Sequence, residues 1–195
     1  MRDIATRENI KDLILDATDR LLSQNGYQKT TMSALAETVG IAKGTLYLHF
    51  PSKEELVLSH IDRIVFRLLV KLQTIAHSSK SAAEKLEGML VMRVLFRYDS
   101  VHHYKGSLSE LLRDIRPALT ARHKLHFQQE ARCLADVLAS DDFNIKDPLE
   151  TAHAMIVATN SLLPNTLSDA ELRDRRAIER RISLIAHMLI NGIKK

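Results

Sequence analysis

Residues 26–56 read GYQKTTMSALAETVGIAKGTLYLHFPSKEEL. Two short helices are expected in this stretch, over 32–39 and about 43–50, with Gly40 between them. The Thr31 hydroxyl can cap the first of these helices, since Thr side chains accept a hydrogen bond from free backbone N–H groups at helix starts. Gly40 can adopt the positive φ of a tight turn, which would cost another residue about 1–2 kcal/mol. Two short helices joined by a glycine-containing turn form a helix-turn-helix unit, whose second helix typically enters the DNA major groove.

Helical periodicity continues on both sides of this unit. Pro51 ends the third helix, and Ser52 begins the fourth as the cap of a capping box. Pro117 is expected in the first turn of a long helix, where proline is tolerated, and Ser168 is expected to cap the last helix. The pattern predicts an all-α fold of about nine helices, near 7–25, 32–39, 43–50, 53–77, 86–97, 108–115, 117–139, 148–163 and from Ser168 to 193.

Composition excludes several classes of protein. The 195 residues are 45% hydrophobic and 27% charged, which are ordinary values for a folded protein and argue against disorder. A single cysteine, Cys133, cannot form an internal disulfide, which favours a reducing compartment. The N-terminal stretch lacks the apolar run of a secretory signal, and no apolar stretch approaches the roughly 20 residues of a membrane-spanning helix. We therefore expect a cytoplasmic protein without a membrane partner.

The net charge of +4 is weak support for nucleic-acid binding. Residues 1–55 contain seven Lys and Arg against eight Asp and Glu, so the positive excess lies in the remaining chain. Only around 29–53 is the helix-turn-helix segment locally positive, through Lys29, Lys43 and Lys53. DNA affinity should therefore depend on a few well-placed contacts and not on bulk charge.

The segment resembles the DNA-binding signature of TetR-family regulators (TetR/AcrR type). The similarity lies in a run of about thirty residues, namely Thr30, Thr31, Ala36, Gly40, Lys43, Gly44, Thr45, Leu46, Tyr47, His49, Phe50, Ser52, Lys53, Glu54, Glu55 and Leu56. Ala42 and Leu48 depart from the pattern, because family members often have Ser and an aromatic or polar residue at these positions. The resemblance implies a homodimer that binds a near-palindromic double-stranded operator, usually as a repressor, and leaves the DNA when a small molecule binds.

The resemblance also implies which residues face DNA. Gly44 would let the backbone approach a phosphate, and Tyr47, His49 and Lys53 can donate to phosphate oxygens. Thr45, with Lys43, is the best candidate for base contacts. The complete predicted set is Thr31, Ser33, Lys43, Gly44, Thr45, Tyr47, His49 and Lys53.

The domain division expected from the motif is a helix-turn-helix domain over 1–52 and an effector-binding and dimerisation domain over 53–195. Helices like those of the larger domain line effector cavities in similar proteins, and the candidate ligand residues here are Met89, Met92, Arg93, Phe96, Tyr104, Phe127 and Asn160. They suit a largely apolar, uncharged or weakly anionic effector. The last two helices are the expected dimer face, with an apolar stripe of Ile182, Ile185, Ala186, Leu189 and Ile190 on the final helix.

Other chemistry has little support in the sequence. His102, His103, His123, His126 and Cys133 show no tight metal-ligand spacing, and no catalytic motif or phosphate loop is found. We expect no metal, no cofactor and no enzyme activity. Two alternatives remain: an all-helical enzyme or lipid carrier whose helix-turn-helix likeness is fortuitous, or a DNA-binding regulator whose larger domain binds a protein partner.

Overall fold

The computed structural model of the chain describes residues 2–104 and 108–194. Within these residues there are eight α-helices and no β-strand, which confirms the all-α fold class. The helices are α1 Arg2–Lys29, α2 Met32–Val39, α3 Lys43–His49, α4 Lys53–Ala76, α5 Ala82–Val101, α6 Leu108–Leu138, α7 Pro148–Thr159 and α8 Arg175–Asn191. Short 3-10 helices cover His102–Tyr104, Asn160–Leu162 and Glu171–Arg173.

The helix caps and the glycine turn predicted around the helix-turn-helix are present in the structure. Gly26 interrupts α1 with a φ of 74°, a backbone conformation that favours glycine. The Thr31 Oγ1 accepts a hydrogen bond from the Ala34 N–H at 3.1 Å and so caps α2. Gly40 ends α2 in the left-handed conformation, with φ 75° and ψ 32°. The Ser52 Oγ accepts from the Glu55 N–H at 3.0 Å at the start of α4.

The prediction of nine helices is wrong at Pro117, because the two helices expected on either side of it are one helix, α6. Proline removes one backbone donor, so the Arg113 carbonyl loses its usual helical partner. Both Arg113 and Pro117 are exposed, and water can satisfy that carbonyl. Ile115 and Leu119 are buried on either side of the proline, and their packing holds the helix together.

The start of the last helix also differs from the prediction. Ser168 and Glu171 do form a reciprocal capping pair, but this pair begins only a 3-10 turn. The cap of α8 is Asp174, whose carboxylate accepts from the Ala177 N–H at 2.9 Å. The preceding helix, α7, ends at Thr159, so the expected helical stretch up to residue 163 finishes as a 3-10 turn.

The chain packs as two compact units. Among the described residues, the first comprises residues 2–63, 103–104 and 108–119, and the second comprises residues 64–102 and 120–194. This division by packing differs from the boundary at residue 52, which follows the end of the helix-turn-helix motif. In the first unit, α2 and α3 pack on α1 through a core that includes Ile14, Leu35, Leu46 and Phe50.

The core of the second unit is built from α4, α5, α6, α7 and α8. Ile182, Ala186 and Ile190 belong to this core and are buried in their own subunit. The apolar stripe expected at the dimer face therefore points inward, because it is the side of α8 that packs on α5. No described helix combines the length and the apolar character needed to cross a membrane.

Candidate nucleic-acid interface

Helix α3 has one anchored face and one solvent-facing face. Leu46 is fully buried in the core of the first unit and fixes the orientation of the helix. Lys43 and Gly44 are exposed, Thr45 is partly exposed and Tyr47 is 43% exposed. The Lys43 ammonium lies 6.0 Å from the centre of the Tyr47 ring, one turn along the helix. The predicted contacts on α3 thus lie on the part of the helix that a ligand can reach.

Two predicted contacts lie at the start of α2. Thr31 and Ser33 are both exposed. The Thr31 hydroxyl accepts a hydrogen bond as the cap of α2 and still carries its own proton, which can be donated to a phosphate oxygen. Thr31 can therefore serve the fold and a DNA backbone contact at the same time.

Lys53 is engaged within the protein. Its Nζ donates to the Tyr27 carbonyl at 3.0 Å and lies 4.0 Å from the centre of the Tyr27 ring. Burial lowers the pKa of Lys53, while the nearby Asp114 carboxylate raises it. An ammonium has three protons, so Lys53 can keep these contacts and still donate to a phosphate. Its removal would disturb the first unit as well as any DNA contact.

Two small residues, Ala42 and Gly44, lie at the start of α3. Ala42 occupies the N-cap position and provides no side-chain hydrogen bond to the helix. A Cβ atom placed on Gly44 would meet no atom of the protein within 4 Å. The protein's own packing therefore does not require glycine at position 44, whereas a closely approaching phosphate would.

Leu48 is the feature that sequence reasoning missed. In the sequence it stands out only as a departure from a family pattern, yet it is 87% exposed on α3. The available signal was its position two residues after the inward-facing Leu46, which places it on the opposite side of a helix. His49, the last predicted contact of α3, is partly buried.

Comparison with known proteins identifies this unit. Residues 14–59 match the family described as bacterial regulatory proteins, tetR family. A fatty acid metabolism regulator protein of Bacillus subtilis is 30% identical over 73 residues, which are 37% of this chain and 38% of that protein. The repressor KstR of Mycolicibacterium smegmatis is 38% identical over 86 residues, which are 44% of this chain and 42% of that protein. These alignments span about two fifths of the length of the curated relatives.

The fold extends the likeness to nearly the whole chain. A transcriptional regulator from Cytophaga hutchinsonii superimposes with a TM-score of 0.73 at 21% identity, covering 94% of this chain and 98% of that chain. Residues 14–59 carry a helix-turn-helix domain of the tetR family. The helix-turn-helix likeness is therefore not fortuitous, and the relatives are named as regulators and not as enzymes, in agreement with the expectation of no enzyme activity.

Several of the predicted ligand residues meet in a buried network of the second unit. The fully buried Arg93 donates from Nε to the Glu130 carboxylate at 2.7 Å and from Nη1 to the Thr159 hydroxyl at 2.7 Å. It also bonds the Asn160 side chain, and its guanidinium lies 5.3 Å from the centre of the Phe127 ring. Arg93, Phe127 and Asn160 are thus brought together, as a shared ligand site requires.

Charge in this network is uneven. Arg97 also bonds the Glu130 carboxylate, so among the described side chains of this network two guanidinium groups share one carboxylate. Burial lowers the pKa of Arg93 to about 10, although Glu130 opposes the shift. Burial by itself would raise the pKa of Glu130, but the two arginines lower it below its ordinary value. The network therefore contains one negative carboxylate and two positive guanidinium groups, so that its net charge is positive.

The other predicted ligand residues are dispersed. Met89 is fully buried in the core, whereas Met92 and Phe96 are only partly buried beside it. Tyr104 belongs to the first unit, where its hydroxyl donates to the Asp19 carboxylate at 2.7 Å and lies 2.9 Å from the His60 Nε2. The hydroxyl of Tyr104 is therefore engaged with Asp19 and His60.

A cavity of about 430 Å³ opens elsewhere in the second unit. Its lining residues are Gln73, Ala76, His77, Ala82, Lys85, Cys133, Asp136, Val137 and Ser140, and none of the predicted ligand residues is among them. Burial, followed by the Asp136 carboxylate, raises the pKa of the Cys133 thiol. Across the described ranges, no three His, Cys, Asp or Glu side chains are placed to hold a metal ion, and the metal-free expectation stays a prediction.

Proposed function

We propose that this protein is a homodimeric transcriptional repressor of the tetR family that binds near-palindromic operator DNA. The observation that carries the proposal is the arrangement of α3, in which buried Leu46 holds the helix while Lys43, Gly44, Thr45 and Tyr47 remain accessible. Phosphate contacts from such residues set the position of the protein, and base contacts select the sequence. A cytoplasmic location is part of the proposal, because operator DNA lies there.

A binding measurement on the full-length protein tests this function. Duplexes selected from a random pool, together with the DNA upstream of its own gene, are compared with unrelated DNA by fluorescence anisotropy. We expect Lys43→Ala to weaken binding and to reduce the salt slope by about 0.9 log units for each phosphate that the variant no longer neutralises. Tyr47→Phe should also weaken binding, because it removes only the hydroxyl that can donate to a phosphate.

The matched control is Lys80→Ala, which removes an exposed lysine in the turn before α5. It should leave both the affinity and the salt slope unchanged. The proposed function fails if the wild-type protein binds every selected duplex no more tightly than unrelated DNA. The assignment of Lys43 fails if Lys43→Ala and Lys80→Ala have the same effect.

The effector proposal is a largely apolar small molecule with an acidic group, bound in the second unit. Supporting it are the excess positive charge of Arg93 and Arg97 over Glu130 and the apolar Phe127 ring beside them. A ligand carboxylate there would gain charge-assisted hydrogen bonds. One relative is named as a regulator of fatty acid metabolism, which agrees with an aliphatic acid. Effector binding would shift α4 and change the spacing of the paired recognition helices, which must lie about 34–36 Å apart.

A thermal-shift panel tests the effector class. Decanoate, decanol and decylamine have the same chain length and differ in their polar group. We expect decanoate to raise the melting temperature most, since a ligand that binds only the folded state stabilises it by mass action. Stabilisation by decylamine alone would contradict an acidic effector. If none of the three has an effect, a protein partner for the second unit becomes the better hypothesis.

A further inference from the structure

Leu48 has an unusual position for a leucine. Among the large apolar side chains in the described part of the chain it is the most exposed, at 87%. Single exposed leucines are common on protein surfaces and need no explanation by themselves. This one, however, lies in the middle of the surface that carries Lys43, Thr45 and Tyr47. The position of Leu48 on this surface, and not its exposure alone, therefore needs an explanation.

Helix geometry places Leu48 at the outermost line of α3. Leu46 is fully buried, and two residues further along a helix the side chain points about 160° away. Gly44 and Thr45 precede Leu48 by four and three residues, so they share its face. The outermost strip of α3 is therefore Gly44 and Leu48, with the partly exposed Thr45 beside it.

The side chain of Leu48 has room to lie along this strip. Side chains on an α-helix lean towards the N-terminus, over the preceding turn. The residue one turn back is Gly44, which has no side chain, and the space where its Cβ would stand is empty to 4 Å. A duplex that approaches closely enough to contact the Gly44 backbone will therefore also meet the Leu48 methyl groups.

The chemistry of the major groove limits what Leu48 can contact favourably. Base edges there present hydrogen-bond donors and acceptors, and the one apolar group is the 5-methyl of thymine. Pressing leucine against a donor or acceptor would exclude water and leave that polar group without a partner. Against a methyl group, the same contact buries apolar surface on both sides and is favourable.

We propose that Leu48 selects thymine at one position of each operator half-site by contact with the thymine 5-methyl group. This inference rests on the proposed function, because it requires α3 to lie in the major groove. It assigns to Leu48 a specificity-determining role that is separate from the phosphate contacts of Lys43 and Tyr47.

The test removes the methyl group from the DNA and the leucine from the protein, separately and together. A duplex selected from a random pool by the full-length protein is prepared with deoxyuridine in place of each thymine in turn, which keeps every hydrogen bond. For the wild-type protein, we expect deoxyuridine at one position per half-site to weaken binding by about four-fold per methyl. For Leu48→Ala, the same replacement should have no effect, and selection should no longer enrich thymine there.

Two controls accompany this experiment. Leu125→Ala truncates an exposed leucine of α6 and should retain the wild-type response to deoxyuridine. The melting temperature of Leu48→Ala should equal that of the wild type, because the side chain contributes little to the packed core.

The possible outcomes distinguish a failure of the proposed function from a failure of the role assigned to Leu48. If the wild-type protein binds no selected duplex, the proposed function fails and the inference fails with it. If it binds but deoxyuridine is neutral at every position, the proposed function stands and the role of Leu48 is overturned. An equal loss in wild type and Leu48→Ala also overturns it, since another residue must then read the methyl group.

Discussion

Gly40 and Gly44 show at the scale of single residues how one amino acid can serve two purposes. Gly40 has a φ of 75°, so the backbone itself favours glycine in the turn between α2 and α3. Gly44 lies inside α3 with helical geometry, and the space beside it is open. The fold requires the first glycine, whereas the protein's own packing does not require the second, which agrees with our proposal that a phosphate approaches Gly44 closely.

We expect Gly40→Ala and Gly44→Ala to have opposite effects on stability. Gly40→Ala should lower the free energy of unfolding by about 1–2 kcal/mol, because a left-handed backbone strains a residue with a Cβ. Gly44→Ala should raise it by up to about 1 kcal/mol, since alanine is the better helix former, and should weaken DNA binding by blocking the phosphate. Urea denaturation and anisotropy measure the two quantities.

Gly88→Ala is the matched control for Gly44→Ala. It places a methyl group in α5 at ordinary contact distance, 3.5 Å from an Ile75 methyl group. DNA affinity should be unchanged in this variant. Equal DNA affinity of Gly44→Ala and the wild type would contradict the close approach of a phosphate at Gly44.

At the scale of elements, a polar cluster joins three pieces of the first unit. Asp19 from α1, His60 from α4 and Tyr104 from the 3-10 turn meet through hydrogen bonds of 2.7 and 2.9 Å to the tyrosine hydroxyl. Burial alone would raise the pKa of Asp19, but the hydrogen bonds from His60 and Tyr104 hold it far below its ordinary value. Burial and the Asp19 carboxylate raise the pKa of Tyr104, so the hydroxyl stays a donor.

We expect Tyr104→Phe to lower the free energy of unfolding by about 1–3 kcal/mol. The change removes the buried hydroxyl and leaves the Asp19 carboxylate and the His60 ring without this partner. Urea denaturation measures the loss. Tyr47→Phe, which removes an exposed hydroxyl, should leave stability unchanged, and equal stability of both variants would show that the cluster contributes nothing.

A second prediction at this scale concerns pH and α6. Burial, together with the nearby Arg97 charge, lowers the pKa of His123 to about 4. An unfolded chain binds a proton on this histidine below about pH 6.5, while the folded chain does not do so until about pH 4. Stability should therefore fall as the pH is lowered through this window, because the unfolded state binds more protons. His123→Phe should make the decline between pH 7 and pH 5 shallower in urea titrations; an identical slope would contradict a neutral, partly buried His123.

At the scale of the whole molecule, the question is where a second copy of the chain would dock. The exposed large apolar residues of the last two helices are Leu149 and Val157 on α7 and Leu184 and Met188 on α8. Leu184 and Met188 are one turn apart, so they form a continuous apolar strip on the side of α8 opposite the buried stripe. A homodimer through these helices stays our proposal, but its contact residues are these and not the stripe expected from the sequence.

We expect Met188→Glu to dissociate the dimer in light-scattering measurements at micromolar concentration. A charge at the centre of a two-fold interface faces its own copy and loses its water. Phe66→Glu is the matched control, because Phe66 on α4 is 66% exposed and Met188 is 65% exposed. A monomeric wild type, or dissociation by Phe66→Glu alone, would exclude this face.

The sequence by itself determined the features that depend only on neighbouring residues, such as helix caps and turns. Thr31, Gly40 and Ser52 act through neighbours within a few residues, so their positions were sufficient to predict the caps and the turn of the helix-turn-helix. The family resemblance was carried by the same local segment. The error at Pro117 arose because a proline signal is also local, whereas the packing of Ile115 and Leu119 that overrides it is not.

The tertiary structure decided everything that depends on which side of a helix is covered. Periodicity shows that α8 has an apolar stripe, but only packing shows that Ile182, Ala186 and Ile190 are inside and Met188 is outside. In the same way, tertiary packing turned Tyr104 towards Asp19 and engaged Lys53 with Tyr27. These outcomes depend on contacts between residues far apart in the chain, which no local pattern encodes.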